Sequence, residues 1–285
     1  MPIPSWPTEL REVAEGVFAY VQEGGGFCVS NAGVVIGGGE AVVIDALFSP
    51  PMTRAFRDAM TRAGLPPARL LVDTHHHVDH TLGNALFPEA SVIAHAKARA
   101  EMERVGLPKD RILAIAPHFG PDLEGARVRL PDVTVDGPAS VWAGGRRIDL
   151  VHLGTAHTVG DLLVHLPAER VLFTGDVAFH YVTPLAFEGH IGRWIEVCRR
   201  VEAMDVDVVV PGHGPVGTRA DVARMRRYLE LIHREARVAF DEGAPPEEAA
   251  RRIPLGDYAD WGEPERLAIN VARLYQEFRG ELEGM

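Results

Sequence analysis

The amino-acid sequence predicts an α/β fold in which two packed β-sheets are flanked by helices. Short apolar runs typical of buried strands alternate with amphipathic stretches of helical periodicity. The order of strands, helix, strand and helix occurs once in each half of the chain. Because each sheet and helix must bury its apolar face against another layer, a layered sandwich follows. The 285 residues are 46% hydrophobic and 24% charged, which is ample for a large core.

Strands dominate the first part of the chain. The glycines at 37–39 form a predicted hairpin turn inside one strand region. A helix over about 51–63 has Pro51 at its start and Gly64 directly after its end. A second helix is predicted over 97–105. The predicted strands of this part cover residues 10–21, 27–45, 69–73 and 91–94.

The rest of the chain adds a second set of strands and then becomes helical. Residues 107–131 carry four prolines, and we predict that they form a mobile segment covering a site. The predicted strands cover residues 133–135, 140–143, 146–153, 162–166, 171–173 and 206–210. The predicted helices cover residues 191–203 and about 219–241, 245–252 and 263–280.

One stretch, residues 74–80, carries most of the chemistry. It reads Thr-His-His-His-Val-Asp-His and directly follows an apolar strand. Alternate side chains of an extended segment share a face, so His75 and His77 point one way and His76 the other. Asp79 and His80 come where the chain turns into a helix and approach from a second side. Imidazoles with one carboxylate suit zinc, iron or manganese better than calcium or magnesium. The competing interpretation is a solvated polyhistidine patch.

Three distant residues fit the same chemistry. His157, Asp176 and His213 each follow a predicted buried strand and lie among small residues. Glycines at such places let the backbone come close to a ligand. Each residue taken alone is ordinary in a solvated loop. Their combination with the 74–80 stretch in one chain favours a shared metal site.

The complete pattern resembles the metallo-β-lactamase-fold hydrolase superfamily over about residues 10–217. The resemblance implies a four-layer αβ/βα sandwich for residues 1–218, with a C-terminal helical extension, 219–285, packed on the same domain. It implies two Zn²⁺ per chain, with iron or manganese as alternatives. Asp176 would bridge the two ions, and His76 would be no ligand. The implied ligands are His75, His77 and His157 for one ion, and Asp79, His80 and His213 for the other.

Within the superfamily, the nearest likeness is to a bacterial branch described as polyketide cyclase-like. It is carried by the stretches 79–84, 182–184, 208–215 and 265–270. True β-lactamases of the superfamily lack an aspartate at the position of Asp176, which argues against β-lactam hydrolysis. The acyl-homoserine lactonases resemble the chain less, because the position of their catalytic tyrosine holds Phe179.

The resemblance predicts a dinuclear metal-dependent hydrolase that uses a metal-bridging hydroxide on an ester, thioester or lactone. Asp79 would be the catalytic residue, since it can orient the hydroxide and pass its proton on. A second hypothesis is a polyketide cyclase or thioesterase-type enzyme that stabilises an enolate with its metals. A third is a mononuclear iron oxygenase or a metal-binding protein without turnover.

Further residues are predicted around the metals. Asp45 and Asp161 stand at strand ends, where they could fix histidine tautomers; a cap or turn role is the alternative. Residues that follow Asp176 are predicted to line a substrate pocket: Phe179, His180, Tyr181, Phe187, His190 and Trp194. For Phe187 and Trp194, packing in the core is an equal alternative. Five other histidines have no partner motif and are predicted to be structural or exposed: His95, His118, His152, His165 and His233.

The composition limits the classes of binding partner and the cellular locations that we predict. The net charge of -11 argues against a nucleic-acid partner, since phosphate binding needs a basic face. No apolar run approaches the ~18 residues of a membrane span, and no signal peptide is visible. The two cysteines form no disulfide framework. We therefore predict a cytoplasmic protein with a small-molecule substrate, and a homo-oligomer is compatible with the sequence.

Overall fold

Alternating apolar residues build two β-sheets in the computed structural model, which describes residues 3–283. The first sheet has seven strands in sequential order. Its first four strands form an antiparallel meander, and the strands from the fourth to the seventh run parallel. The strands are β1 (Glu9–Ala14), β2 (Val17–Val21), β3 (Ala32–Gly37), β4 (Glu40–Ile44), β5 (Ala68–Val72), β6 (Ser91–His95) and β7 (Val133–Val135).

The second sheet has five strands in the order β12-β11-β10-β9-β8. Neighbouring strands are antiparallel, except for the parallel pair β11 and β12. The strands are β8 (Ala139–Ala143), β9 (Arg146–Val151), β10 (Leu163–Leu166), β11 (Val171–Phe179) and β12 (Val208–His213).

The two sheets share one core, and helices cover their outer faces. Val35 and Ile44 of the first sheet pack with Leu150 and Phe173 of the second in the layer between them. On the outside, α1 covers the first sheet with Phe56, and α5 and α6 cover the second. The predicted αβ/βα sandwich is confirmed. The helices are α1 (Pro50–Arg62), α2 (Val78–Thr81), α3 (Ala96–Val105), α4 (Lys109–Ile115), α5 (Ile191–Glu202), α6 (Arg219–Asp241), α7 (Pro246–Arg252) and α8 (Arg266–Phe278).

The C-terminal helices share a core with the second sheet. Thr218 and Asp221 form a reciprocal capping box that starts α6. Leu229 of α6 and Leu274 of α8 are fully buried in the cluster that contains Trp194 of α5. The division of the chain at residue 218 stays a prediction. Among the described helices, none is both long and apolar enough to cross a bilayer.

Three local predictions need correction. Residues 27–31 are not part of a strand. Strand β11 continues to Phe179, so Asp176 lies within it rather than beyond its end. The pairing of β11 with β12 shifts on both sides of Gly175, which explains why the apolar run alone stopped the prediction at residue 173. Residues 107–131 contain a helix and two short 3-10 turns, with Ile112, Phe119 and Leu123 buried.

Candidate metal centre

Parallel strands bring the predicted ligands to one end of the sandwich. The 74–80 stretch follows β5, and His213 is the last residue of the parallel strand β12. The carboxyl ends of parallel strands lie at the same edge of a sheet, where ligand sites form. Asp176 comes from the neighbouring strand β11, and His157 comes from the connection between β9 and β10.

The first group of donors consists of three imidazoles and a carboxylate. Donor atoms of His75, His77, His157 and Asp176 all lie within 4.8 Å of one another. Nδ1 of His77 is 3.1 Å from Nε2 of His75 and 2.9 Å from Nε2 of His157. Nε2 of His157 is 3.2 Å from Oδ2 of Asp176. We call these four residues the first group.

The second group is formed by Asp79, His80 and His213, whose donor atoms also lie within 4.8 Å of one another. Nε2 of His213 is 3.3 Å from Oδ2 of Asp79, and Nε2 of His80 is 3.9 Å from the same oxygen. Apart from Asp176, each candidate ligand thus lies in the group to which the resemblance assigned it, and metal binding by the two groups stays a prediction.

Asp176 lies between the two groups. Its Oδ2 faces His157, while its Oδ1 is 3.1 Å from Nε2 of His80 in the second group. A glycine at position 212 makes this possible, because a Cβ there would stand 1.9 Å from Oδ1 of Asp176. One carboxylate therefore contacts donors of both groups.

The site is buried and rich in charge. Burial lowers the pKa of His213, but the nearby carboxylates of Asp176 and Asp79 outweigh this effect and raise the pKa above its usual value, to about 9. Burial likewise lowers the pKa of His80, and the charges of Asp176, Asp45 and Asp79 together raise it well above its usual value. Protonated histidines thus compensate the buried carboxylates. A bound cation would take over that compensation and release protons.

The ring nitrogens that face away from the groups are held by outer partners. Nδ1 of His80 donates to Oδ2 of Asp45 at 2.8 Å, as predicted for Asp45. Nδ1 of His213 donates to the carbonyl oxygen of Gly25 at 3.0 Å. Nδ1 of His75 is 3.1 Å from the hydroxyl of Thr74. Outward N–H groups of this kind leave the inward nitrogens as lone-pair donors.

Two outer residues differ from the sequence analysis. The carboxylate of Asp161 does not contact a candidate ligand: it accepts hydrogen bonds from the N–H and hydroxyl of Thr158, so it orders a turn. Glu188 was missed. Its Oε2 lies 3.1 Å from Nε2 of His77 and 2.9 Å from Nε2 of His76. The sequence carries no motif around residue 188 that indicates this contact.

The residues fit a metal pair by their chemistry. Nε2 of His80 and Oδ1 of Asp176 are buried and 3.1 Å apart, but this ionic contact lacks hydrogen-bond geometry, and neither atom has another hydrogen-bond partner within residues 3–283. Buried polar atoms in proteins are nearly always satisfied, so such orphans point to a missing partner. Five imidazoles and two carboxylates form a donor set typical of zinc and other transition metals.

A cavity of about 440 Å³ opens beside the two groups. Asp79, His77 and His213 form part of its floor. Residues from three places supply apolar walls: the loop after β2, the segment around α3 and α4, and the start of α8. The apolar residues that line it include Phe27, Val78, Met102, Val105, Ile112, Ile115, Val128, Leu185 and Ile269. Residues 107–131 thus contribute to the wall of the cavity, and their predicted mobility stays a prediction.

The six residues predicted to form a substrate pocket lie in different surroundings. Phe179 and Phe187 line the cavity. Trp194 is fully buried, and its Nε1 donates to the carbonyl oxygen of Val177, so it packs in the core. Three other residues of the prediction have partners elsewhere: His180 bonds to Pro215, Tyr181 accepts from Arg224, and His190 caps α5.

The remaining histidines lie outside both groups. His95 and His152 stack on each other with ring centroids 4.2 Å apart, and His233 packs on Phe278. His165 lies in β10 and His118 in a 3-10 turn. Their predicted structural or surface role agrees with these positions. Cys28 and Cys198 are both free and buried, in line with the expected absence of a disulfide framework.

Comparisons with known proteins agree with this geometry. The profile of the metallo-beta-lactamase superfamily matches residues 25–213, a span that includes both groups. The chain is 30% identical to a hydroxyacylglutathione hydrolase of Mesorhizobium japonicum over 166 residues, which cover 58% of this chain and 54% of the relative. It is 27% identical to the 2,4-dinitroanisole O-demethylase subunit alpha of Nocardioides sp. over 176 residues, covering 60% and 48%. The matches thus span about half the length of these relatives.

The fold also matches solved structures. A metallo-beta-lactamase from Pontibacter korlensis superposes with a TM-score of 0.61 at 19% sequence identity. The superposition covers 78% of this chain and 98% of that chain. At this identity, the likeness concerns the fold alone.

Proposed function

The chain belongs to the metallo-beta-lactamase superfamily, and from this premise we propose that it is a dinuclear metal-dependent hydrolase of an ester, thioester or lactone. One observation carries the proposal: two groups of buried donors converge side by side and share the carboxylate of Asp176. Two divalent ions held there, with zinc as the first expectation, would make a water-derived nucleophile available at neutral pH and would polarise a carbonyl oxygen.

The roles of the chain's own residues follow from their positions. His75, His77 and His157 would hold one ion, and Asp79, His80 and His213 the other. Asp79 also lines the cavity, and its side chain is 16% exposed, while that of His80 is fully buried. Its carboxylate is therefore placed to accept a hydrogen bond from the attacking water and to pass a proton towards the leaving group.

The cavity favours a substrate with an apolar acyl or aryl part. Its walls are mainly aliphatic and aromatic, and Val105, Ile115 and Ile269 are exposed to solvent at 36, 60 and 43%. Ligand sites bury most of an apolar ligand and use a few polar groups for orientation. The metal groups would supply those polar contacts at the floor.

A cyclase is the second candidate, because Phe27, Phe179 and Phe187 give one cavity three aromatic rings next to the metal groups. Such a surface suits a polyketide thioester that closes a ring. The two candidates differ in their products. Hydrolysis yields the free acid with the added atoms of water, whereas cyclisation yields an isomer or a dehydrated ring.

A substrate panel tests the proposal. The metal-loaded and the metal-stripped protein are assayed on esters, thioesters and lactones with short and long apolar acyl groups. A β-lactam, a hydroxyacylglutathione and 2,4-dinitroanisole complete the panel, the last two because relatives are named for them. We expect metal-dependent release of the acid from at least one apolar ester, thioester or lactone. Loaded protein that hydrolyses none of these three classes contradicts the proposal.

A further inference from the structure

We propose that helix α8 positions His77 of the first group through the side chain of Glu188. The inference rests on the metal site of the proposed function. It links α8, which lies beyond the span matched by the family profile, residues 25–213, to the loop around Glu188, which lies within that span. Glu188, Asn270 and Arg273 are thereby positioning residues rather than metal ligands.

Two consecutive residues fix the ring of His77. Oε2 of Glu188 lies 3.1 Å from Nε2 of His77, on the ring edge opposite to Nδ1, which faces the first group. The ring of Phe187 stacks on the face of His77 with centroids 5.0 Å apart and planes at 20°. The carboxylate selects the tautomer that carries its proton on Nε2, and the phenyl ring limits rotation. Both effects raise the affinity of a metal ligand.

The loop that carries these two side chains, residues 184–190, is held by α8. Asn270 is fully buried; its amide accepts from the N–H of Ala186 and donates to the carbonyl oxygen of Pro184, both at 2.8 Å. Arg273, one turn later, donates to the carbonyl oxygens of Glu188 and Gly189, both at 2.7 Å. Residues three apart lie on the same face of a helix, so Asn270 and Arg273 contact the loop from one face of α8.

The end of the loop is fixed in the same way. Glu277 of α8 accepts hydrogen bonds from the N–H groups of Ile191 and Gly192. Three polar side chains of one helix thus satisfy loop backbone groups that would otherwise need water. Holding the loop in one conformation removes the entropy cost of placing Glu188 each time a metal binds.

The same loop also contacts the backbone at another ligand. The N–H of His190 donates to the carbonyl oxygen of Ala156 at 3.0 Å. A Cβ at Gly189 would stand 2.8 Å from the carbonyl oxygen of His157, so only glycine permits this approach. The loop therefore reaches two of the three histidines of the first group. None of the contacts described for it involves the second group.

A different role for Glu188 is conceivable on geometry, since donor atoms of His76, His77 and Glu188 also lie within 4.8 Å of one another. That trio could bind an ion of its own. It would need Nε2 of His77 without its proton, while Nδ1 of the same ring faces the first group. The two roles predict different metal counts for a Glu188 variant, and the test below separates them.

The experiment measures zinc affinity by competition with a chromophoric chelator, in an Asp79→Ala background that disables the second group. Glu188→Ala and Arg273→Ala are compared with Glu188→Gln and with Arg279→Gln as a matched control. Arg279 lies just beyond α8 and pairs with Glu281, away from the loop. Thermal melting of each metal-free variant reports stability separately from affinity.

We expect Glu188→Ala and Arg273→Ala to weaken zinc binding about 10–100-fold, the range known for outer partners of ligands. Glu188→Gln should recover part of the loss because its amide oxygen still accepts one hydrogen bond. Arg279→Gln should leave affinity unchanged. If Arg273→Ala does not fold, Arg273→Lys takes its place, because a single ammonium cannot reproduce the planar contact with two carbonyls.

The outcomes are distinguishable. Unchanged affinity in both the Glu188 and the Arg273 variants overturns the inference, as does a lower melting temperature with unchanged affinity. Loss of a whole ion from Glu188→Ala, when the same substitution is made in the otherwise wild-type chain, assigns Glu188 as a ligand and also overturns it. A wild-type chain that binds zinc but hydrolyses no substrate contradicts the proposed function. The inference about α8 is then still decided by the zinc affinities of the variants.

Discussion

Asp45 and His80 form a buried hydrogen bond of 2.8 Å between Oδ2 and Nδ1. The same oxygen accepts from the hydroxyl of Thr74, which lies 3.1 Å from Nδ1 of His75, a member of the first group. Asp45 thus reaches ligands of both groups. Its φ of 56° is in the left-handed region, which aspartate and asparagine tolerate better than most residues. The strained backbone at the end of β4 turns the carboxylate towards the histidines.

Replacing Asp45 with Asn tests this connection. The variant keeps the size of the side chain and the tolerance for positive φ, but it loses one anionic acceptor. We expect total metal affinity to fall about 10–100-fold with a modest effect on the fold. Chelator competition and thermal melting of the metal-free protein measure the two effects. Unaltered affinity for both ions would show that Asp45 is only a turn residue.

Asp176 contacts both groups, so its removal should separate them. Asp176→Ala removes one charge that offsets the repulsion between two cations. We expect the variant to fold, to retain up to one ion tightly, and to lose about 100-fold or more in turnover, the scale for loss of a positioned electrostatic element. Metal analysis and melting are made on the same preparation. Two tightly bound ions with near-normal activity would exclude a bridging role.

The layers of the fold were predictable from sequence because they depend on local patterns, whereas the assignment of ligands to two ions came from the resemblance and stays a prediction. An apolar run followed by small residues marks the end of a strand, and the carboxyl ends of parallel strands lie at one edge of a sheet. The prediction from alternation that His76 points away from His77 was wrong: the chain bends at 74–76, and Nε2 of both rings contacts Oε2 of Glu188.

Residues that depend on tertiary contacts were not predictable. Glu188 lies in a loop that α8 holds in place, and the sequence around residue 188 gives no indication of the contact with α8. Asp161 lies just before β10, whereas Asp45 directly follows β4, and the carboxylate of Asp161 turns back to Thr158. The pocket prediction assumed that residues after Asp176 face one cavity. A φ of 60° at Tyr181 turns the chain, and the side chain pairs with Arg224 instead.

Ile269 should contribute to recognition of the apolar part of the substrate. It lines the cavity from α8 and is 43% exposed without ligand. Ile269→Ser should lower kcat/KM about fivefold for an octanoyl ester, from partial loss of side-chain burial, and should change the acetyl ester little. Val238→Ser is the control, since Val238 is 52% exposed on α6 and is not among the residues lining the cavity. Equal effects on both esters would remove the assignment.

Truncation after Gly217 examines the C-terminal helices. Leu229 of α6 and Leu274 of α8 share a buried cluster with Trp194 of α5, so the truncation exposes apolar surface. We expect an aggregating product or one that binds a hydrophobic dye and holds less metal. Truncation after Glu283, which keeps the buried Leu282, serves as the control and should behave as the full chain. A soluble, metal-loaded and active product after Gly217 would mean that the helices neither cover the cavity nor support the first group.

The metal content of the chain tests the central claim most directly. Protein purified without chelator is saturated with zinc, freed of excess by gel filtration, and analysed by mass spectrometry of the metal together with quantitative amino-acid analysis. Two groups of intact donors around Asp176 predict about two zinc ions per chain. A folded chain that binds only one ion at saturating supply would contradict the dinuclear site and the function built on it.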